Sequence, residues 1–243
     1  MEEIKINKIY NMDCLELMRK LPDEYFDLII TDPPYGLNIN QKNASRGKLA
    51  IAKDYGKCEW DKEIPSAEHF KEMLRVSKNQ IIFGGNYFTD YLYPSSCWIV
   101  WDKDNGDNDF ADCELGWVSF PKAVRKFKFR WNGMLQENMK WKDKRVHPTQ
   151  KPKALGRWIL QKFAIKGDLI FDPFAGSGSF LIACKELGFD FVGCEIDKDY
   201  CEIINERLMF KTVADFTQVE PKAQSLNKDF TEILEISQIG NNP

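Results

Sequence analysis

A doubly wound, mostly parallel α/β sheet is the architecture that this 243-residue sequence predicts, on three observations. Short apolar runs of strand length alternate with segments whose apolar residues recur at helical spacing. The runs are nearly continuous in apolar residues, the pattern of strands covered by helices on both faces. Two of them lead directly into tight turns, Asp32-Pro33-Pro34-Tyr35-Gly36 and Asp172-Pro173-Phe174-Ala175-Gly176-Ser177-Gly178-Ser179.

Taken in order, FDLIIT from Phe26 to Thr31 predicts a strand that stops at the Pro-Pro turn. Phe70, Met73 and Leu74 then lie at helical spacing in a segment that Ser66 can cap. QIIF at 80–83 and CWIVW at 97–101 predict two further strands, and Leu155, Trp158 and Ile159 mark a helix. Leu169 to Phe171 predicts a strand, Leu181, Cys184 and Leu187 a helix face, and Phe191 to Ile196 another strand. Tyr200, Ile203, Ile204 and Leu208 give the helix that follows it. Two stretches break the alternation. Residues 36–62 are polar, with Gly36, Gly47 and Gly56, and predict a mobile loop. Residues 103–146 carry a charge reversal and little periodicity, and predict an inserted recognition region. The organisation expected is one catalytic domain over 1–210, made of a first half (1–102), the insertion (103–146) and a second half (147–210). A polar extension over 211–243 follows, with one short helix around Phe230 to Ile236.

Composition narrows the function. At 43% hydrophobic and 29% charged residues the chain reads as soluble and globular. Its longest apolar runs are far short of a membrane span, and the polar start MEEIKINKIY does not support a secretory signal. Seven cysteines without a CxxC pair, and two histidines, disfavour a zinc site and a disulfide framework. Reduced thiols in a cytoplasmic protein are the simplest reading. The net charge of −3 argues against a protein that coats nucleic acid along its whole surface. Local charge is more telling. From Pro121 to Arg145 nine Lys/Arg face two acids, a balance of +7, whereas Asp102 to Glu114 holds six acids and one lysine, or −5. A polarised surface with one phosphate-facing side is expected.

The glycine turn lies between a strand and a helix. Two glycines one residue apart let a backbone turn tightly and approach a ligand. Glu195 ends the next strand nineteen residues after Gly176, where a carboxylate can accept hydrogen bonds from ribose hydroxyls. The third glycine of a dinucleotide fingerprint would fall at 181, which is Leu, so a nicotinamide-dependent oxidoreductase is disfavoured. The Asp32 turn supplies a different chemistry. Two prolines fix φ and remove two backbone donors, leaving the Pro33 carbonyl as an acceptor beside the Asp32 carboxylate, with Tyr35 as a flat face. Two acceptors and a stacking surface suit an aromatic amino group, whose lone pair is otherwise delocalised into its ring. A base presents that group only when rotated out of the duplex.

DPPY followed by DPFAGSGS resembles the signature of amino-directed DNA methyltransferases, specifically the permuted β class. Asn11-Met12-Asp13-Cys14 resembles the family's adenine-contacting turn. His147-Pro148-Thr149-Gln150-Lys151-Pro152 resembles the block that helps hold the methionine end of the cofactor. The resemblance implies a Rossmann-like methyltransferase sheet in permuted motif order and S-adenosylmethionine as cofactor. It places the Asp32 and Asp172 strands side by side. Asp32, Pro33, Pro34 and Tyr35 are the catalytic set it implies. Its cofactor set is Asp13, Cys14, Asp32, His147, Thr149, Lys151, Asp172 to Gly178, Glu195 and Ile196. It implies methyl transfer to N6 of adenine in double-stranded DNA, with N4 of cytosine or an RNA base as the alternatives. In the basic stretch, Lys122, Arg125, Lys126, Lys128 and Arg130 interleave with Phe127, Phe129 and Trp131. That pattern suits DNA contact, and equally a half-buried strand with one solvated face. A homodimer and a restriction endonuclease partner remain open, and no metal is called for.

Overall fold

The computed structural model describes residues 4–37, 63–106, 111–132, 135–140, 142–143, 145–147 and 149–209. Most of the loop expected over 36–62, and the C-terminal extension with its short helix, lie outside the described residues.

Eight strands form one sheet. They are β1 (Lys8–Asn11), β2 (Phe26–Thr31), β3 (Ser77–Phe83), β4 (Cys97–Asp102), β5 (Cys113–Val118), β6 (Arg125–Lys128), β9 (Leu169–Asp172) and β10 (Asp190–Glu195). Their order across the sheet is β1-β10-β9-β2-β3-β5-β4-β6. A separate two-stranded ribbon joins β7 (Trp131–Asn132) to β8 (Leu135–Gln136). All pairings in the main sheet are parallel except those of β5, which runs antiparallel to both β3 and β4.

The apolar runs are buried on both faces because each face has its own helices. Leu28 and Ile30 of β2, Ile81 and Phe83 of β3 and Ile170 of β9 pack into one core with Leu155 and Ile159 of α3 (Lys153–Phe163). Leu181 of α4 (Ser179–Leu187) and Ile204 of α5 (Lys198–Met209) join them. The alternate residues Ile29, Ile82 and Phe171 point the other way, onto Leu15 and Met18 of α1 (Cys14–Met18) and Phe70 and Met73 of α2 (Ala67–Val76). This side-to-side alternation is the period of two that a strand imposes. Ser66 stands at the N-cap of α2 as expected, but its hydroxyl meets His69 Nδ1 at 2.9 Å instead of a backbone N–H.

The stretch 103–146 differs from the expectation of a region set apart from the alternation. Its β5 fills the slot between β3 and β4, and its β6 extends the sheet beyond β4. Trp117 and Val118 are fully buried, and Phe127 and Phe129, stacked at 5.6 Å, pack against the core, with Phe127 5.2 Å from Trp158 of α3. The alternation of charge and phenylalanine along β6 is therefore that of a strand with one solvated face. The two oppositely charged runs are also neighbours. Lys126 pairs with Asp102 at 2.7 Å, and Lys128 and Arg130 pair with Asp104 at 2.9 and 2.5 Å, which offsets much of the expected polarisation.

Candidate active site

The site forms where strand order reverses between β9 and β2, the position at which open α/β sheets bind ligands. Leu28 and Ile29 pair with Ile170 and Phe171, so the two tight turns leave the same edge of the sheet side by side. The Thr31 hydroxyl donates to Asp172 Oδ1 at 2.8 Å and ties the two strand ends together. Burial pushes the Asp172 carboxyl up to about 8, so it is protonated at neutral pH.

A cavity of about 290 Å³ opens here, near the lower end of small-molecule pockets. Met12, Asp13, Cys14, Phe174, Glu195 and Ile196 line it, as do Asp32 to Tyr35 of the Pro-Pro turn. His147, Thr149 and Lys151 line it as well, together with Asp172 to Ser177. Every expected catalytic residue, and every expected cofactor residue but one, faces this space. The exception is Gly178. A Cβ there would lie 2.7 Å from Ile204 Cγ2, so its missing side chain makes room for α5, and its φ of +72° turns the chain into α4. The missing side chain of Gly178 thus serves the packing of α5 against this turn.

Glu195 closes the turn from the side. Its Oε2 accepts the Gly176 N–H at 2.7 Å and its Oε1 accepts the Asp197 N–H at 2.9 Å. Asp13 caps α1 by accepting the Leu15 N–H at 2.9 Å, and its other partner is His69 Nε2 at 3.6 Å. His147 is buried, its ring 4.5 Å from Tyr200, and its Nδ1 accepts the Thr149 N–H at 3.2 Å. Burial, then the nearby Lys151 ammonium, bring its pKa down to about 3, so the ring is neutral.

The Pro-Pro turn is held by a buried charge cluster. The Tyr35 hydroxyl donates to Asp32 Oδ1 at 2.5 Å, and the Lys151 ammonium donates to Asp32 Oδ2. The ammonium also lies 2.9 Å from Glu114 Oε2 and 3.4 Å from the Tyr35 hydroxyl. The ammonium thus lies between the catalytic turn and β5. Burial raises the Asp32 pKa against the pull of Lys151, whereas the two carboxylates outweigh burial at Lys151 and keep it charged. The Tyr35 ring stacks on Tyr87 at 4.9 Å and lies against Gly84, where a Cβ would come within 2.1 Å of Tyr35 Cε1. Only glycine, with φ of +71°, fits that position.

Sequence reasoning missed several lining residues, among them His69, Gln150, Phe180 and Tyr200, and the cluster members Glu114 and Lys103. Of these only Gln150 lies in a short motif, the His147 to Pro152 block. His69 had a weak signal, its place in the first turn of a helix that faces the site.

An acidic Pro-Pro-aromatic turn beside a glycine turn at the switch point of such a sheet is the arrangement that the resemblance to amino-directed methyltransferases implies. Residues 100–206 match a family model described as DNA methylase. The chain is 28% identical over 240 residues to the type II methyltransferase M.HpaI of Haemophilus parainfluenzae, a match covering 81% of this chain and 72% of that one. Among solved structures, the M1.HpyAVI–SAM complex aligns with a TM-score of 0.55 at 23% identity, covering 84% of this chain and 99% of that one. The cytosine-N4-specific PvuII DNA methyltransferase aligns with a TM-score of 0.54 at 14% identity over 85% of this chain and 87% of that one. These matches support an S-adenosylmethionine-dependent DNA methyltransferase of the β-class type.

The donor set fits that cofactor. Glu195 offers a carboxylate, with unused lone pairs, to a ribose diol. Phe174 and Ile196 give apolar walls, and Asp13 gives a further acceptor on the cavity lining. No helix among the described residues is long and apolar enough to cross a membrane.

Proposed function

We propose that this enzyme methylates the N6 amino group of adenine in a flipped-out base of double-stranded DNA, with the Asp32 turn as its catalytic element. The observation that carries the reading is the Asp32 carboxylate, buried at the cavity and held from two sides by Tyr35 and Lys151. Each carboxylate oxygen has two lone-pair sites, so Asp32 keeps capacity for a hydrogen of the amino group while holding its own partners. The Pro33 carbonyl takes the second hydrogen. Bound to these two acceptors, the nitrogen becomes pyramidal and its lone pair turns toward the methyl donor.

S-adenosylmethionine supplies an electrophilic methyl group on a sulfonium. The protein contributes orientation and charge. Glu195 holds the ribose, Asp13, Cys14, Phe174 and Ile196 flank the adenine ring, and the turn from Asp172 to Ser177 with His147 and Thr149 borders the methionine portion. Lys151 belongs with the catalytic turn, because its ammonium is directed at Asp32 and Glu114. As the amino nitrogen gains positive charge, the Asp32 carboxylate stabilises it and then accepts its proton. The upward push that burial gives the Asp32 pKa suits it to that last task. Tyr35, stacked on Tyr87, presents a rigid aromatic edge to the target base.

DNA is contacted along β6 and its flanks, with Lys122 and Arg125 as the first contacts. Neither has an ion pair to a carboxylate among the described residues, unlike Lys126, Lys128 and Arg130. A cognate restriction endonuclease is consistent with the type II name of the M.HpaI relative.

Methylation of cytosine N4 is the second reading, favoured by the cytosine-N4-specific name of one structural neighbour. Both amino groups need the same two acceptors, so the choice rests on the size of the base pocket. Adenine is preferred because aspartate opens the turn, where cytosine enzymes of this family usually carry serine. Nucleoside chromatography of DNA treated with enzyme and methyl-labelled cofactor decides between them. Label in N6-methyladenosine supports the proposal. Label confined to N4-methylcytidine refutes the choice of base and leaves the reaction class standing.

A further inference from the structure

One charged side chain reaches the Asp32 carboxylate directly, and two more stand behind it. Lys151 comes from the loop before α3, and its side chain is only 6% exposed. Glu114 comes from β5, opposite Trp101 of β4, and is 20% exposed. Lys103, just past the end of β4, pairs with the other Glu114 oxygen and lies over the Trp101 ring at 5.3 Å. The result is a buried row of alternating charge, Asp32, Lys151, Glu114 and Lys103. Neither Glu114 nor Lys103 lines the cavity.

Burying four charges is costly unless each has a partner, and removing one leaves its neighbour uncompensated. A single lysine against Asp32 would have sufficed for neutrality. The additional pair has a different effect: Glu114 shares the Lys151 ammonium, so that Lys151 holds Asp32 in place without neutralising it fully. We propose that Glu114 is a positioning residue for methyl transfer, acting through Lys151 to set the orientation and net charge of the Asp32 carboxylate. This rests on the reading of Asp32 as the acceptor for the amino group.

The groups facing Asp32 are Tyr35 from its own turn, Lys151, Glu114 from β5 and Asp172 from β9, with neutral His147 behind Lys151 and Lys103 behind Glu114. The negative charge of Glu114 raises the Asp32 pKa, second to burial among the upward influences, and Lys151 lowers it. Replacing Glu114 with glutamine leaves the ammonium wholly to Asp32, which becomes easier to ionise and less able to stabilise a second cation. Replacing Lys103 with glutamine does the reverse, because Glu114 then draws on Lys151 alone.

The test is single-turnover methyl transfer to DNA across a pH series, with cofactor affinity measured beside it, in the full-length enzyme. Glu114→Gln should slow transfer by about 10- to 100-fold, the scale of a misplaced catalytic group. Its acid limb should move to lower pH, with the cofactor Kd within about twofold of the parent. Glu114→Asp should recover most of the rate. Lys103→Gln should move the acid limb to higher pH, and keeps the proposal testable should Glu114→Gln not fold. An unmoved acid limb in every variant that folds, with Asp32→Ala inactive in the same assay, overturns the role of Glu114 alone. Asp32→Ala at the parental rate overturns the reading of the turn itself.

Discussion

Replacing Glu195 by alanine should have two separable effects. In the proposed complex the carboxylate accepts two hydrogen bonds from the ribose, charge-assisted and partly shielded from water. Losing both costs on the order of 2–4 kcal/mol of cofactor affinity. That corresponds to a Kd raised about 30- to 1,000-fold. The same oxygens accept the Gly176 and Asp197 N–H groups at 2.7 and 2.9 Å, so the variant also frees two backbone donors. Each such bond is worth about 0.5–1.5 kcal/mol net. For a chain of this size that lowers the melting temperature by roughly 2–4 °C per kcal/mol. Titration calorimetry with S-adenosylmethionine measures the first effect, and a thermal melt without cofactor the second. A lowered melting temperature with unchanged cofactor affinity would refute the ribose contact and leave Glu195 as a brace for the glycine turn.

Two further predictions concern charge. Lys122→Gln with Arg125→Gln should flatten the salt dependence of DNA binding by up to about one slope unit for each phosphate that these cations neutralise in the parent. The Lys126→Gln, Lys128→Gln pair should change it less, because Asp102 and Asp104 already hold those ammoniums; equal slopes in parent and all variants would move the DNA path off β6. Asp172→Asn should alter the pH dependence of stability. The parental carboxyl is raised from 3.8 to about 8 on folding, so its contribution is fully present below about pH 4 and is lost as pH rises toward about 8. The slope within that window is up to about 1.4 kcal/mol per pH unit. Urea melts of Asp172→Asn should lose that downward slope, and an identical slope in both proteins would contradict a protonated, buried Asp172.

The parts of the fold visible in sequence were those with a strong local signal. FDLIIT and the run to Phe171 are buried on both faces, and each stops at a turn whose residues dictate its shape. Their adjacency, with Asp32 and Asp172 at one edge, followed from the resemblance and not from periodicity, since pairing between distant strands leaves no local trace. β5 was hidden for a physical reason, and β6 was legible only as one of two readings of its alternation. β5 carries Glu114 inward to a lysine, and β6 shows one solvated face of Lys126 and Lys128 against the apolar one of Phe127, so neither reads as a buried strand. The Pro-Pro turn was legible as chemistry. Its support was not, because Lys151, Glu114 and Lys103 meet only after folding.

The central claim is that the Asp32 turn performs methyl transfer to an amino group of a base in DNA. Its most direct test compares the parent with Asp32→Asn in a single turnover on DNA with labelled cofactor, after calorimetry has established that both bind S-adenosylmethionine. Asparagine keeps the size of the side chain and removes the charge that stabilises the amino cation and takes its proton. The prediction is label in an N-methylated nucleoside with the parent and none above background with the variant. Parental-rate transfer by Asp32→Asn, or label on a ring carbon of the base, would contradict it.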